Sequence, residues 1–184
     1  MSVLVHRRLF SLAVILGLAF GTVVGAEPVQ FTKIVLDKTF RSEGVGVGDI
    51  NRDGKLDVMA GEVWYAAPDW KMNEMLTPGV YDGNTGYSKT FANYSADVNR
   101  DGWIDSIITT MMGEPSLWYE NPQNQPGHWK VHKGTRSACN ETPLFADLLG
   151  DGKPVAVWGV QPQGYIAWFR SEEHTSELQS HHPI

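Results

Sequence analysis

The sequence predicts an all-β fold: a partial β-propeller of about three four-stranded blades, preceded by a signal peptide. Three observations predict it. An acidic loop recurs at a near-constant interval, a pair of adjacent aromatics recurs with it, and the chain between them reads as short segments punctuated by turn residues. Self-similarity at this period marks a blade architecture, and four short strands fit a unit of ~50 residues. Beyond the N-terminal segment no stretch carries a long 3.6-residue apolar period, so helices are not expected.

The N-terminal element reads as an address. His6-Arg7-Arg8 supplies a positive region, Leu9 to Phe20 is an apolar or small run, and Val24-Gly25-Ala26 offers small residues before Glu27. That pattern predicts a secretory signal peptide over 1–26, and the run is shorter than the ~20 residues a membrane span needs. A retained anchor is the alternative. Arg7-Arg8-Leu9-Phe10 also looks like a twin-arginine export signal, so the general secretory route competes with that one. Either way the mature chain is expected to be secreted or periplasmic, with no stable membrane span after cleavage.

The repeat occupies 27–169. Asp49-Ile50-Asn51-Arg52-Asp53-Gly54-Lys55-Leu56-Asp57 returns 48 residues on as Asp97-Val98-Asn99-Arg100-Asp101-Gly102-Trp103-Ile104-Asp105. A weaker copy, Asp147-Leu148-Leu149-Gly150-Asp151-Gly152-Lys153-Pro154-Val155, follows after 50 more. The residue before each leading Asp is small: Gly48, Ala96, Ala146. The aromatic pairs are Trp64-Tyr65, Trp118-Tyr119 and Trp168-Phe169.

Between these landmarks, Gly44 to Gly48 leads into the first loop. Leu56 to Ala60, Trp103 to Thr109 and Val155 to Val160 follow the loops and are apolar on nearly both faces, as strands covered on two sides should be. Phe31 to Leu36 and Trp129 to His132 are expected as outer strands. In the second of these, alternation should put His128, Lys130 and His132 on one solvated face and Trp129 with Val131 on the other. The final stretch, 170–184, looks like the translation of a short-read library adapter; it is read as a non-native tail and set aside from fold reasoning.

Composition excludes some functions. The chain has 15 Lys+Arg against 21 Asp+Glu, a net charge of −6. Stretch 27–169 keeps that balance, because the two ends carry Arg7, Arg8 and Arg170 against Glu172, Glu173 and Glu177. An acidic domain without basic clusters argues against nucleic-acid binding. Cys139 is the only cysteine, so no intrachain disulfide forms, and an exported chain must find its cross-links elsewhere.

A divalent cation is the expected cross-link. Asp or Asn side chains at loop positions 1, 3 and 5 turn inward when the backbone winds tightly, and Gly at position 6 permits the turn. Ca²⁺ takes six to eight oxygens from such mixed ligands, whereas Mg²⁺ prefers an octahedral, partly hydrated shell. The expected ligands are Asp49, Asn51, Asp53, the carbonyl of Lys55 and Asp57 in the first loop. In the second they are Asp97, Asn99, Asp101, the carbonyl of Trp103 and Asp105. The third retains only Asp147 and Asp151 and is expected to be weak or empty, since Leu149 and Val155 replace the amide and the last carboxylate. An EF-hand would need Glu at position 12 between helices, but Ala60 and Ile108 stand there. Metal-free Asp/Asn/Gly turns are the alternative. Two complete copies in register favour calcium, because carboxylates crowded in one loop repel one another without a cation.

These residues resemble the FG-GAP/VCBS repeat family, the calcium-loop blade of integrin α-subunit propellers and of many exported bacterial proteins. The resemblance spans Glu27 to Phe169, with the loop as its specific part. It implies a propeller, commonly of seven blades, with Ca²⁺ bound in loops on one face. About three blades cannot close a ring, so further C-terminal blades are expected as the missing partners of this stretch, which alone should be unstable.

Two functions compete. The first is a non-catalytic binding or scaffold module for a protein or glycan outside the cytoplasm; no G-x-S-x-G, H-E-x-x-H or Gly-rich phosphate loop is present to suggest chemistry. The second is part of a polysaccharide lyase or hydrolase, with Trp64, Trp70, Trp118 and Trp129 stacking on sugars and Glu43 and Glu141 as paired acids. Packing between blades is the competing role for those tryptophans, because Trp64 and Trp118 recur with the repeat.

Overall fold

A computed structural model describes residues 29–135, 137–139, 141–162, 164–171 and 178–183, with the backbone alone for 171 and 178–183. The expected signal peptide, 1–26, lies outside the described residues. Residues 29–34 belong to a separate unit, hold no regular element and are exposed. The unit from Val35 onward holds the regular structure.

Among the described residues, twelve strands make three four-stranded antiparallel sheets. The first joins β1 (Gly46–Gly48), β2 (Asp57–Ala60), β3 (Val63–Ala66) and β4 (Lys71–Glu74). The second joins β5 (Ala92–Ala96), β6 (Asp105–Thr109), β7 (Leu117–Glu120) and β8 (Lys130–Lys133). The third joins β9 (Leu144–Ala146), β10 (Val155–Val160), β11 (Tyr165–Ser171) and β12 (Leu178–Pro183). Each sheet runs in chain order, so every blade is a simple meander and the fold is the partial propeller expected. Among the described residues no helix is long and apolar enough to cross a membrane.

The second strand of each blade is largely buried, and in the second blade a sheet lies on both its faces. In β6 all five residues are buried, and Ile107 and Ile108 point to opposite sides. Ile107 joins Trp118, Ala156, Trp158 and Phe169 between the second and third sheets. Ile108 joins Ile50, Met59, Met75, Tyr119 and Trp129 between the first and second. Each isoleucine contributes roughly 1.5–3 kcal/mol by burial.

The aromatic pair follows the same rule. Trp118 faces the third sheet and Tyr119 the first; in the first blade Trp64 faces the second sheet, and Tyr65 lies on the far side with Ala60, Val63 and Leu36. The tryptophans are therefore packing residues: Trp118 and Trp129 are buried, and Trp64 and Trp70 are half-buried against core clusters.

The innermost strands meet closely. A Cβ added to Gly46 would lie 2.9 Å from Asn93 Oδ1, and one on Gly48 3.0 Å from Ile104 Cγ2, so these glycines let β1 approach β5. Ser95 Oγ also donates to the Val47 carbonyl across that seam.

Two expectations need correction. Phe31 to Leu36 forms no strand; the outer strand of the first sheet is β4, a polar segment that comes after β3 rather than before β1. His132 is not on a solvated face. Its register partner on β7 is Trp118, whose ring it stacks on at 4.1 Å, and its Nε2 pairs with Glu120 Oε2 at 2.7 Å. The tail set aside from fold reasoning supplies β12, with Gln179 opposite Arg170 and Leu178 opposite Ser171. An open strand edge presents unpaired N–H and C=O groups to any extended chain, whatever its sequence.

Candidate metal centre

The three acidic loops connect the first and second strands of their blades, and they share one backbone path. Positions 4 and 6 take left-handed φ in all three: Arg52 (61°) and Gly54 (83°), Arg100 (62°) and Gly102 (86°), Gly150 (71°) and Gly152 (78°). Position 6 is Gly each time because a side chain is disfavoured there; the third loop also uses Gly at position 4.

That winding turns the side-chain oxygens onto backbone donors. In the first loop Asp49 Oδ1 accepts from Asp53 N at 3.0 Å and its Oδ2 from Gly54 N at 2.9 Å. Asn51 Oδ1 also accepts from Asp53 N at 3.0 Å, and Asp53 Oδ1 from Lys55 N at 2.9 Å. The second loop repeats each bond. Asp97 accepts from Asp101 N and Gly102 N at 3.0 and 2.8 Å, Asn99 from Asp101 N at 3.1 Å, and Asp101 from Trp103 N at 2.8 Å. The expected carbonyl ligands, Lys55 and Trp103, thus lie on the returning limb of each loop. The Lys55 ammonium additionally reaches Asp53 Oδ2 at 3.2 Å.

Position 9 behaves differently. Asp57 and Asp105 are fully buried, and both oxygens of each accept backbone N–H groups. Asp57 takes Ile50 N at 3.0 Å and Ala67 N at 2.9 Å; Asp105 takes Val98 N at 3.0 Å and Asn121 N at 2.8 Å. Each therefore fastens its own loop to the chain leaving the third strand of its blade.

The electrostatics of the second loop are those of a crowded anion site. Burial pushes the Asp105 carboxyl up to about 7, the N–H groups of Asn121 and Val98 pull the other way, and the charges of Asp101 and Asp97 raise it further. Asp101 is held below its ordinary value; burial opposes this, but hydrogen bonds from Gln123, the Trp103 N–H and Asn99, with the charge of Arg52, outweigh it. Asp53 is lowered chiefly by the Lys55 N–H.

Tested against calcium, the first two loops fit in donor type. All side-chain donors are oxygens, and a carboxylate oxygen that accepts one N–H keeps a further lone pair for a cation. A divalent ion beside Asp105 would also relieve its repulsion from Asp97 and Asp101. The third loop does not fit. Asp147 accepts from Gly150 N, Asp151 N and Gly152 N, and the Arg170 guanidinium sits 2.9 Å from Asp151 Oδ2. Among the described residues, no three His, Cys, Asp or Glu side chains gather as a metal-holding group, so any site depends on the asparagine and backbone oxygens as well.

Sequence reasoning missed the segment Asn121 to Asn124, which touches both complete loops. Its signal was the Asn before Pro122, where the first blade has Ala67 before Pro68. A groove of about 520 Å³ opens beside it between the first two blades, lined by Asn51, Trp64, Asn73, Asn124 and Trp129 among others. The proposed acid pair has no such setting: Glu43 is exposed and accepts from Ser88 N at 2.9 Å and from the Ser88 hydroxyl, and Glu141 is exposed. Cys139 is a half-buried free thiol.

No protein-family model, curated protein or solved structure matches this chain.

Proposed function

We propose that this chain is an exported calcium-binding β-propeller module of the FG-GAP/VCBS type, acting as a non-catalytic binding or scaffold domain for a protein or glycan. One observation carries the reading. Two nine-residue loops a blade apart have the same oxygen donors at the same positions and wind them with the same hydrogen bonds. The ion's role is structural: it draws together carboxylates that otherwise repel and stiffens the end of each of the first two blades.

The interblade groove is where a ligand would sit. A half-buried indole edge at Trp64 beside the amides of Asn51, Asn73 and Asn124 suits the alternating apolar and hydroxyl faces of a sugar. The enzyme reading has less support, since Trp118 is buried between sheets and Glu43 is engaged by Ser88.

The full chain, stripped with chelator, is titrated with Ca²⁺ by calorimetry and melted with and without the ion. Two ions should bind, and at 100 times Kd each stabilises by about 2.7 kcal/mol. No heat and no melting shift would end the calcium reading. Retention on a glycan panel without release of reducing ends or unsaturated products would support the module over the enzyme.

A further inference from the structure

We infer that Asn121 couples the two complete acidic loops, so that they take up divalent ions as one cooperative pair; this rests on the calcium reading above. Asn121 is buried, at 4% exposure, and all its polar side-chain atoms are engaged. Its Nδ2 donates to two carbonyls, Ile50 at 3.0 Å and Ile104 at 2.9 Å. Ile50 stands between the first and third positions of loop one. Ile104 stands between the seventh and ninth positions of loop two. A single amide nitrogen thus fixes the separation of the two loops.

The same short segment reaches further ligands. Asn121 N holds Asp105 Oδ1, and Asn121 Oδ1 accepts Gln123 N at 2.9 Å. The Gln123 side chain donates to Asp101 Oδ2 at 3.0 Å, and Asn124 Nδ2 donates to the Asn51 carbonyl at 3.1 Å. Gln123 and Asn124 hold φ of 57° and 61°, a region that residues with side chains seldom occupy, and both loops help to keep them there. A second link runs beside it: the Arg52 guanidinium of loop one lies 5.2 Å from the ring centre of Trp103 in loop two.

Coupling follows from shared ordering. An ion that winds loop one fixes the Ile50 and Asn51 carbonyls, and with them Asn121 and Asn124. That segment presents the N–H and amide groups which orient Asp105 and Asp101, so loop two has less left to order when its own ion arrives. The first blade lacks this device: Ala67 N repeats the bond to the ninth carboxylate, but alanine has no amide to clasp a neighbouring loop. Asn121 is therefore a positioning residue, acting on the ligands rather than as one.

Calorimetric titration of the chelator-stripped full chain with Ca²⁺ tests this, comparing wild type with Asn121→Ala and Asn124→Ala. The wild type should bind the second ion about fivefold or more tighter than the first, within the usual range of coupling. Asn121→Ala should bind both ions with that factor reduced to about one, and Asn124→Ala should give an intermediate factor. Where Asn121→Ala fails to fold by circular dichroism, Asp49→Asn replaces it: weakening loop one must weaken loop two. Two ions binding independently, with the same affinities in wild type and Asn124→Ala, would overturn the coupling and leave the calcium reading intact. No binding to the wild type would instead remove the calcium reading itself.

Discussion

Replacing Asp105 with Asn should invert the order of stability between mutant and wild type as pH rises, provided metal is held away by chelator. The native carboxyl sits at about 7 against an ordinary value of 3.8. Its folded pKa is raised, so the native state holds the proton more tightly than the unfolded chain. Stability from this group is full below about pH 4 and is lost as pH climbs to about 7. The separation of roughly three pH units corresponds to a loss on the order of 4 kcal/mol by pH 8. The Asn variant escapes that loss but carries a fixed cost. Both Asp105 oxygens accept N–H groups, from Val98 and Asn121, and an amide has one acceptor and one donor group for that place. One donor is left facing another, which costs about 1–3 kcal/mol. The variant should therefore be less stable than wild type at pH 4 and more stable at pH 8, with the curves crossing between about pH 4.5 and 6. Urea unfolding at fixed pH steps, both proteins in chelator, reads the difference directly, because all other carboxylates are common to the two. A constant offset between parallel curves would refute the reasoning, since Asp105 would then titrate alike in both states.

Two further outcomes follow from the packing. Trp118→Ala removes a fully buried indole between the second and third sheets together with its stacking on His132, and should cost about 3–5 kcal/mol in urea unfolding; a loss under 1 kcal/mol would place that ring outside the core. Glu120→Gln should flatten stability at acid pH. The His132 hydrogen bond is the largest influence holding this carboxyl below its ordinary 4.5, so its contribution is present above that value and fades as pH falls through the lower folded value; an unchanged acid limb in the variant would contradict the pairing.

The parts of the fold that could be read from the sequence are those where burial imposes a residue type. Asp105–Thr109 is covered on both faces, and Asp57–Ala60 and Val155–Val160 are largely buried, so with the residues that precede them they read as apolar runs. Trp64-Tyr65 and Trp118-Tyr119 mark third strands because both faces of each strand pack: Trp118 and Tyr119 face a sheet on either side, while Trp64 faces the second sheet and Tyr65 clusters with Leu36 and Trp70. The outer strand of the first sheet carries no such mark, whereas Trp129 to His132 announces that of the second, found at Lys130–Lys133. Lys71–Glu74 and Lys130–Lys133 are mostly exposed, and their pairing rests on backbone hydrogen bonds that any composition can make. Phe31 to Leu36 misled for the complementary reason: a run rich in apolar residues looks like a strand whether or not an edge is free to receive it. At the loops, spacing announced the donors, because each position is a local requirement of the turn. Asn121 stayed hidden, since its partners Ile50 and Ile104 are backbone carbonyls 71 and 17 residues away. Nothing in the identity of those two isoleucines points to it.

The ninth-position carboxylate has a consequence for how such a chain can grow. Asp57 and Asp105 each fasten their loop to the exit of their own third strand, so every complete unit arrives with its own internal tether. Duplicating the unit copies the fastening without asking anything of the new neighbour. In the third blade a fully buried Val155 stands at that place, and that unit has no carboxylate to make the tether. A lineage of such units is free to surrender the carboxylate wherever neighbouring sheets already press the strand into place.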